Sequence, residues 1–181
     1  MYRSNVLAVL AAVAVPLLGC TDATSPAPPG SMSFNYTGSL HGTFAVTGSL
    51  NPDDYNSIGT GAIAQRGDAA TQKRIEVRGA NAGTSQELSF TMIDVTGTGP
   101  LQTCQAATTH CVYNGYFWPD VIGVHYFGWG IGYDPPYPEL NVTVTELTGS
   151  RIKGTFEGVV VGSGPDTLRI SAGTFDVPFW K

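Results

Sequence analysis

The stretch SFNYTGSLHGTFAVTGSL, Ser33 to Leu50, decides the fold class. Every even position is apolar or glycine: Phe34, Tyr36, Gly38, Leu40, Gly42, Phe44, Val46, Gly48 and Leu50. Every odd position except Ala45 is small or polar. A period of two is the pattern of a strand with one buried face. At about 3.3 Å per residue the whole stretch would reach nearly 60 Å, far beyond a usual strand of about 3–10 residues, so the ribbon must bend or turn. A two-residue hairpin turn would shift the parity, and the parity is unbroken. The stretch therefore predicts one coiled strand, or a turn of three or five residues near Gly38–Gly42. Glycine on the inner face permits sharp coiling and makes room for a bulky neighbour from the next strand.

The same period recurs along the chain, bounded by Gly, Pro, Asn and Asp. KRIEVRG sets Ile75 and Val77 on one face, QELSFTMIDV sets Leu88, Phe90 and Met92, and ELNVTVTEL sets Leu140, Val142 and Val144. RIKGTFEGVVVG, DTLRI and GTFDVPF follow, with TGS at 148–150, GSGPD at 162–166 and SAG at 171–173 reading as turns. The segment 51–71 reads as a loop with a short strand or one helical turn. No segment after residue 32 shows a 3.6-residue apolar period. The expectation is an all-β chain: an antiparallel β-sandwich, or a strongly coiled barrel-like sandwich, of about eight to ten strands. The triplet Gly-Thr-Phe occurs at 42, 154 and 173. Each reads as a glycine opening a strand with an aromatic two residues on, on the same face. The pattern LTGSRIKGTFEG…RISAGTFDVPF resembles the closing hairpins of uncharacterised β-rich domains in bacterial lipoproteins, a resemblance that implies a fold and no activity.

With 181 residues the chain has room for one domain with a sizeable core. Charged residues make up 13%, against about 25% in an average soluble protein, so Thr, Ser and Asn must keep the surface wet. The formal net charge is −5, which argues against a nucleic-acid partner. The densest basic run, Lys73, Arg74 and Arg78 with Glu76 inside it, reads as a solvated strand face.

The first twenty residues, MYRSNVLAVLAAVAVPLLGC, carry one early cation, Arg3, and an apolar run from Val6 to Leu18. The run is short for a bilayer span and fits the apolar region of a signal peptide. Leu17-Leu18-Gly19-Cys20 resembles the lipobox of bacterial lipoproteins, with the small Gly19 just before the cysteine. That resemblance implies cleavage before Cys20, acylation of its thiol, and attachment to a membrane through that lipid. An ordinary signal peptide with a chance cysteine is the alternative. Thr21 stands where aspartate would retain enterobacterial lipoproteins at the inner membrane. By resemblance to those sorting rules, the outer membrane is favoured, with the protein in the cell envelope facing the periplasm or cell surface. The segment after it, TDATSPAPPGS, is proline-rich and reads as an extended spacer. The division expected is a signal peptide over 1–19, a lipid-anchored tether over 20–32 and a single β domain over 33–181. A transmembrane barrel would also alternate, with its oily face outward, but the lipid anchor makes it redundant.

With Cys20 assigned to lipid, Cys104 and Cys111 remain, and an oxidising compartment predicts a disulfide between them. A metal site on Cys104, His110 and Cys111 is the rival reading. Adjacent His110 and Cys111 would point to opposite faces of a strand, and no fourth ligand is evident.

Aromatics crowd between Tyr113 and Tyr137: Tyr113, Tyr116, Phe117, Trp118, Tyr126, Phe127, Trp129, Tyr133 and Tyr137. In the strand expected over 121–133, one face carries Gly128, Gly130 and Gly132, a bare floor. A core aromatic could lie on that floor. Alternatively it forms a groove that stacks a flat ligand, with Trp118, Tyr126, Trp129, Tyr133 and Tyr137 around it and YDPPYPE as a rim. Catalytic motifs are absent: His41, His110 and His125 have no partners in sequence, and there is no nucleophile elbow, zincin motif or P-loop. Asn51, Asp53 and Asp54 read as a turn before they read as calcium ligands. No cofactor, metal or catalytic residue is expected. The function expected is a non-catalytic binding module for glycan, lipid or an envelope protein; the alternative is a structural or assembly lipoprotein with no small ligand.

Overall fold

The computed structural model describes residues 28–51, 59–69, 72–104, 110–120, 127–130, 139–162 and 166–180. Eleven strands follow in chain order: β1 (Gly30–Gly38), β2 (Gly42–Gly48), β3 (Gly61–Ala69), β4 (Gln72–Asn81), β5 (Gln86–Ile93), β6 (Gly99–Leu101), β7 (Cys111–Trp118), β8 (Phe127–Gly130), β9 (Glu139–Leu147), β10 (Arg151–Val161) and β11 (Thr167–Pro178). All their ladders are antiparallel. The chain is an all-β sandwich, with eleven strands among the described residues where the sequence suggested about eight to ten.

Six strands, in the order β2-β1-β11-β10-β9-β6, make one layer; four, β7-β5-β4-β3, make the other. The link is β8, which pairs with β7 over four residue pairs and with β10 through Val161 and Gly128 alone. One edge of β10 carries β9 along 152–159 and meets β8 at 161. The ladder forks there and passes from one layer to the other. It does not close into a barrel.

The opening ribbon is the hairpin of β1 and β2. Tyr36 pairs with Gly42, which leaves a five-residue turn and keeps the even positions on one face. Phe34, Tyr36, Phe44, Val46 and Leu50 are buried, while Ala45, the one apolar residue of the odd set, is exposed. β1 begins at Gly30, inside the 20–32 segment read as tether, and Met32 belongs to the core. Of 51–71, residues 61–69 form β3, while 52–58 lie outside the described residues.

Between the layers, Phe34, Phe44, Phe156 and Phe175 from the large sheet meet Phe90 and Phe117 from the small one. Ring centroids stand 5.0 Å apart for Phe34–Phe117, 5.5 Å for Phe90–Phe156 and 5.6 Å for Phe90–Phe175. The first and last are edge-to-face and the second is tilted; aromatic pairs at such distances are worth about 0.5–1.5 kcal/mol each beyond the area they bury. The inner-face glycines do make room: a Cβ on Gly79 would lie 2.8 Å from the Met32 sulfur and one on Gly42 2.5 Å from the Tyr36 hydroxyl.

Two readings need correction in this layer. Gly42 opens β2, but Gly154 and Gly173 sit inside β10 and β11 rather than at strand starts. The SAG segment is not a turn, because β11 runs unbroken through it. A register shift there inserts one extra residue, with Ala172 at φ 52°. The bulge changes which parity faces the core, from Leu168 and Ile170 before it to Gly173, Phe175 and Val177 after it.

Candidate functional site

The outward face of the small sheet holds the chemistry. Its inner face is apolar, with Val77, Leu88, Phe90, Val112 and Phe117 in the core. The opposite positions form rows across the strands. One row runs Ile63, Arg78, Ser89, Tyr116, Gly128; the next runs Gln65, Glu76, Thr91, Asn114, Gly130. Glu87 and Trp118 are paired one step further along β5 and β7.

This face is not simply wet. Glu87 is 1% exposed and Ser89 3%, so β5 is covered on both sides. The Arg78 guanidinium donates twice to Glu87, Nε to Oε1 at 2.8 Å and Nη2 to Oε2 at 3.0 Å. The Tyr116 hydroxyl donates to Oε1 of the same carboxylate. Ser89 Oγ donates to Glu76 at 2.7 Å. Burial, the hydrogen bond to Glu87 and that carboxylate's charge together push the Tyr116 hydroxyl pKa far up. Burial alone would lower the Arg78 guanidinium, but its hydrogen bonds to Glu87 and that charge outweigh the penalty and raise it. The basic run read as a solvated face therefore divides: Lys73 and Arg74 are exposed, whereas Arg78 is paired with a buried carboxylate.

Two apolar clusters flank the polar one. Leu50, Ile63 and Ala80 pack at one end, and Ile93 with Cys104, Cys111 and Tyr113 at the other. The disulfide between Cys104 and Cys111 is formed. His110 lies outside it, with Nδ1 3.0 Å from the Asp94 carbonyl oxygen.

Of the groove residues expected from the sequence, Trp118, Gly128 and Gly130 fall on this face. Trp118 is half-buried, its ring centroid 4.6 Å from that of Tyr116. Gly128 and Gly130 stand opposite Tyr116 and Asn114 in the β7–β8 ladder, next to the polar rows. Trp129 stands opposite Gly115 in the same ladder. Tyr126, Gly132, Tyr133 and Tyr137 lie outside the described residues, as do Asp53 and Asp54 and the acylation position Cys20. The expected strand over 121–133 is described only as β8. Among the described residues, no group of three or more His, Cys, Asp or Glu side chains converges as a metal site.

Sequence reasoning missed Glu76, Arg78, Glu87, Ser89 and Tyr116 as one network. Each occupies the polar parity of its own strand, which in a two-sided sheet is indistinguishable from a solvent face. Only the pairing of β4, β5 and β7 assembles them.

Chemically, a carboxylate that accepts from three donors has most of its lone-pair sites occupied. The arrangement fixes side chains in place. What it leaves available is a patch of polar groups, with Glu76 and Thr91 half-exposed and Gln65 and Asn114 exposed, beside the Tyr116–Trp118 pair. Comparison with protein-family models, with curated proteins and with solved structures finds no match for the chain.

Proposed function

We propose that this chain is a lipoprotein of the cell envelope, acylated at Cys20 and held at a membrane, outer membrane favoured. Its β-sandwich serves there as a non-catalytic binding module for glycan, lipid or an envelope protein. The observation that carries the binding reading is the outward patch of the small sheet. Its aromatic pair, Tyr116 and Trp118, is held on a fixed frame by Arg78 and Glu87 and stands beside polar groups that reach solvent. Aromatic rings lose few rotamers on contact and offer both an apolar face and a polar rim, which suits a flat or hydroxylated ligand. No catalytic residue is assigned.

The alternative is a structural or assembly lipoprotein. The near-complete burial and pairing of Glu87 favours it, because such a network also serves packing alone. A glycan and lipid screen of wild type beside Trp118→Ala separates the two. Binding that is lost in the variant, with little change in melting temperature, supports the module. No binding, with a large loss of stability in Trp118→Ala, supports the structural role. Anchoring is tested by metabolic labelling with palmitate: wild type takes up label, Cys20→Ser does not, and an unlabelled wild type defeats the lipoprotein reading.

A further inference from the structure

The tether reaches the body at a defined place. The Arg151 guanidinium, paired with Asp176, donates from Nη1 to the Pro28 carbonyl at 3.0 Å and from Nη2 to the Pro29 carbonyl at 3.1 Å. Arg151 opens β10 opposite Pro178, near the close of β11. Just beyond, Phe179 N–H bonds the Ser150 carbonyl and Trp180 N–H bonds the Ala64 carbonyl, both at 2.8 Å. Arg66 caps the same end, its guanidinium 4.0 Å over the Phe179 ring and its Nη2 2.8 Å from the Thr148 carbonyl. At this end stands Trp180, 41% exposed. Among the described residues only one other large hydrophobic is exposed, Val159, on the outward face of the large sheet.

We infer that this end, with Trp180 and Arg66, rests in the headgroup region of the bilayer that holds the lipid anchor. The inference builds on the proposed acylation of Cys20. Eight residue steps separate Cys20 from Pro28, so an extended proline-rich spacer spans at most roughly 25–30 Å. Because Arg151 fixes where that spacer joins, the short tether always presents the same end to the membrane. Tryptophan favours the membrane–water interface, where its ring is apolar and its N–H stays hydrated, and arginine there meets lipid phosphates. A weak protein contact of this kind acts beside the acyl chains as a second attachment and fixes orientation. The outward face of the small sheet is then held at a constant attitude to the membrane.

The test uses the mature acylated protein in vesicles of phosphatidylethanolamine and phosphatidylglycerol with brominated acyl chains. Bromine quenches a tryptophan that enters the interface, and Trp180 is one of three in the chain. Part of the wild-type emission is expected to be quenched, that part is expected to vanish in Trp180→Phe, and Val159→Ser is expected to match wild type. Phenylalanine retains the apolar side chain, and the Trp180 backbone bond does not depend on it, so the variant keeps its fold, which a melting curve verifies. Vesicle-bound protein with no quenching, or quenching that survives Trp180→Phe, overturns the orientation while leaving the anchor intact. Protein that neither takes up palmitate nor floats with the vesicles removes the anchor, and the orientation falls with it.

Discussion

At the residue scale, Glu87 is a buried carboxylate held by its neighbours. A carboxylate buried without partners is very costly, and here Arg78 and Tyr116 supply three donors. Removing one member of a buried ion pair leaves the other desolvated and uncompensated, which costs about 3–5 kcal/mol, whereas replacing both by apolar groups is often close to neutral. Glu87→Leu and Arg78→Met are each expected to lose stability on that scale, and the variant carrying both to recover most of it. Urea unfolding of the four proteins reads the coupling; single variants within about 0.5 kcal/mol of wild type would mean that the pair frames nothing. Tyr116 adds a pH signature. Its hydroxyl pKa is raised above the ordinary 10.0, chiefly by burial. The folded state therefore holds that proton more tightly than the unfolded chain. This stabilisation is complete below pH 10 and is lost as pH climbs above it. Wild type should lose melting temperature steeply above about pH 10. Tyr116→Phe should start lower, by about 1–3 kcal/mol for the Glu87 acceptor left short of a donor, and fall less steeply over the same range. Parallel alkaline slopes would assign the loss to other groups.

At the element scale, two of the Gly-Thr-Phe triplets turn out to be partners. In the β10–β11 ladder Gly154 pairs with Phe175, Thr155 with Thr174 and Phe156 with Gly173, so each phenylalanine ring lies over the other strand's glycine. A Cβ on Gly173 would stand 2.4 Å from the Phe156 carbonyl oxygen and 2.7 Å from its ring. Gly173→Ala is expected to cost about 1–3 kcal/mol by overpacking. Gly67, on β3, offers the opposite case: an added Cβ meets nothing within 4 Å. Alanine there should leave stability unchanged or raise it by about 0.5–1 kcal/mol, since glycine in a strand carries the larger unfolded-state entropy. Thermal melts of the two variants should move apart; a shared direction would remove the ring-over-glycine account. The triplets were visible in the sequence and their meaning was not, because spacing along the chain carries no register between strands. Parity within one hairpin was legible; it allowed a coiled strand or a turn of three or five residues, and the structure has the five-residue turn between Tyr36 and Gly42. The bulge at Ala172 looked like a turn because Ser-Ala-Gly carries turn-type residues, and only the continuing ladder tells a bulge from a turn.

At the scale of the whole molecule, alternation and turn spacing sufficed for an all-β antiparallel fold, since a chain of strands with one apolar face each has few ways to bury them. They could not choose between a closed barrel and two layers, a choice that rests on whether β2 and β3 pair at the ends of the ladder. Nor could they show what the disulfide does. Cysteine arithmetic predicted the bond, and the fold gives it a place between the layers. β6 belongs to the large sheet through β9, and Cys111 opens β7 in the small sheet. The crossing is also hydrogen-bonded, from Cys104 N–H to the Val112 carbonyl at 2.8 Å and from Val112 N–H to the Gln102 carbonyl at 2.9 Å. Closing a loop with a sequence separation of 7 restricts the unfolded chain by roughly 2.5 kcal/mol in the entropic account. Cys104→Ala with Cys111→Ala should therefore lower unfolding stability by about that amount. The near-UV circular dichroism of the folded state should be kept, because backbone bonds and the phenylalanine packing between the sheets still join the layers. A loss of near-UV signal under native conditions would show instead that the covalent link alone holds the two sheets in register. Two free thiols titrated in unreduced wild-type protein would remove the bond itself from the account.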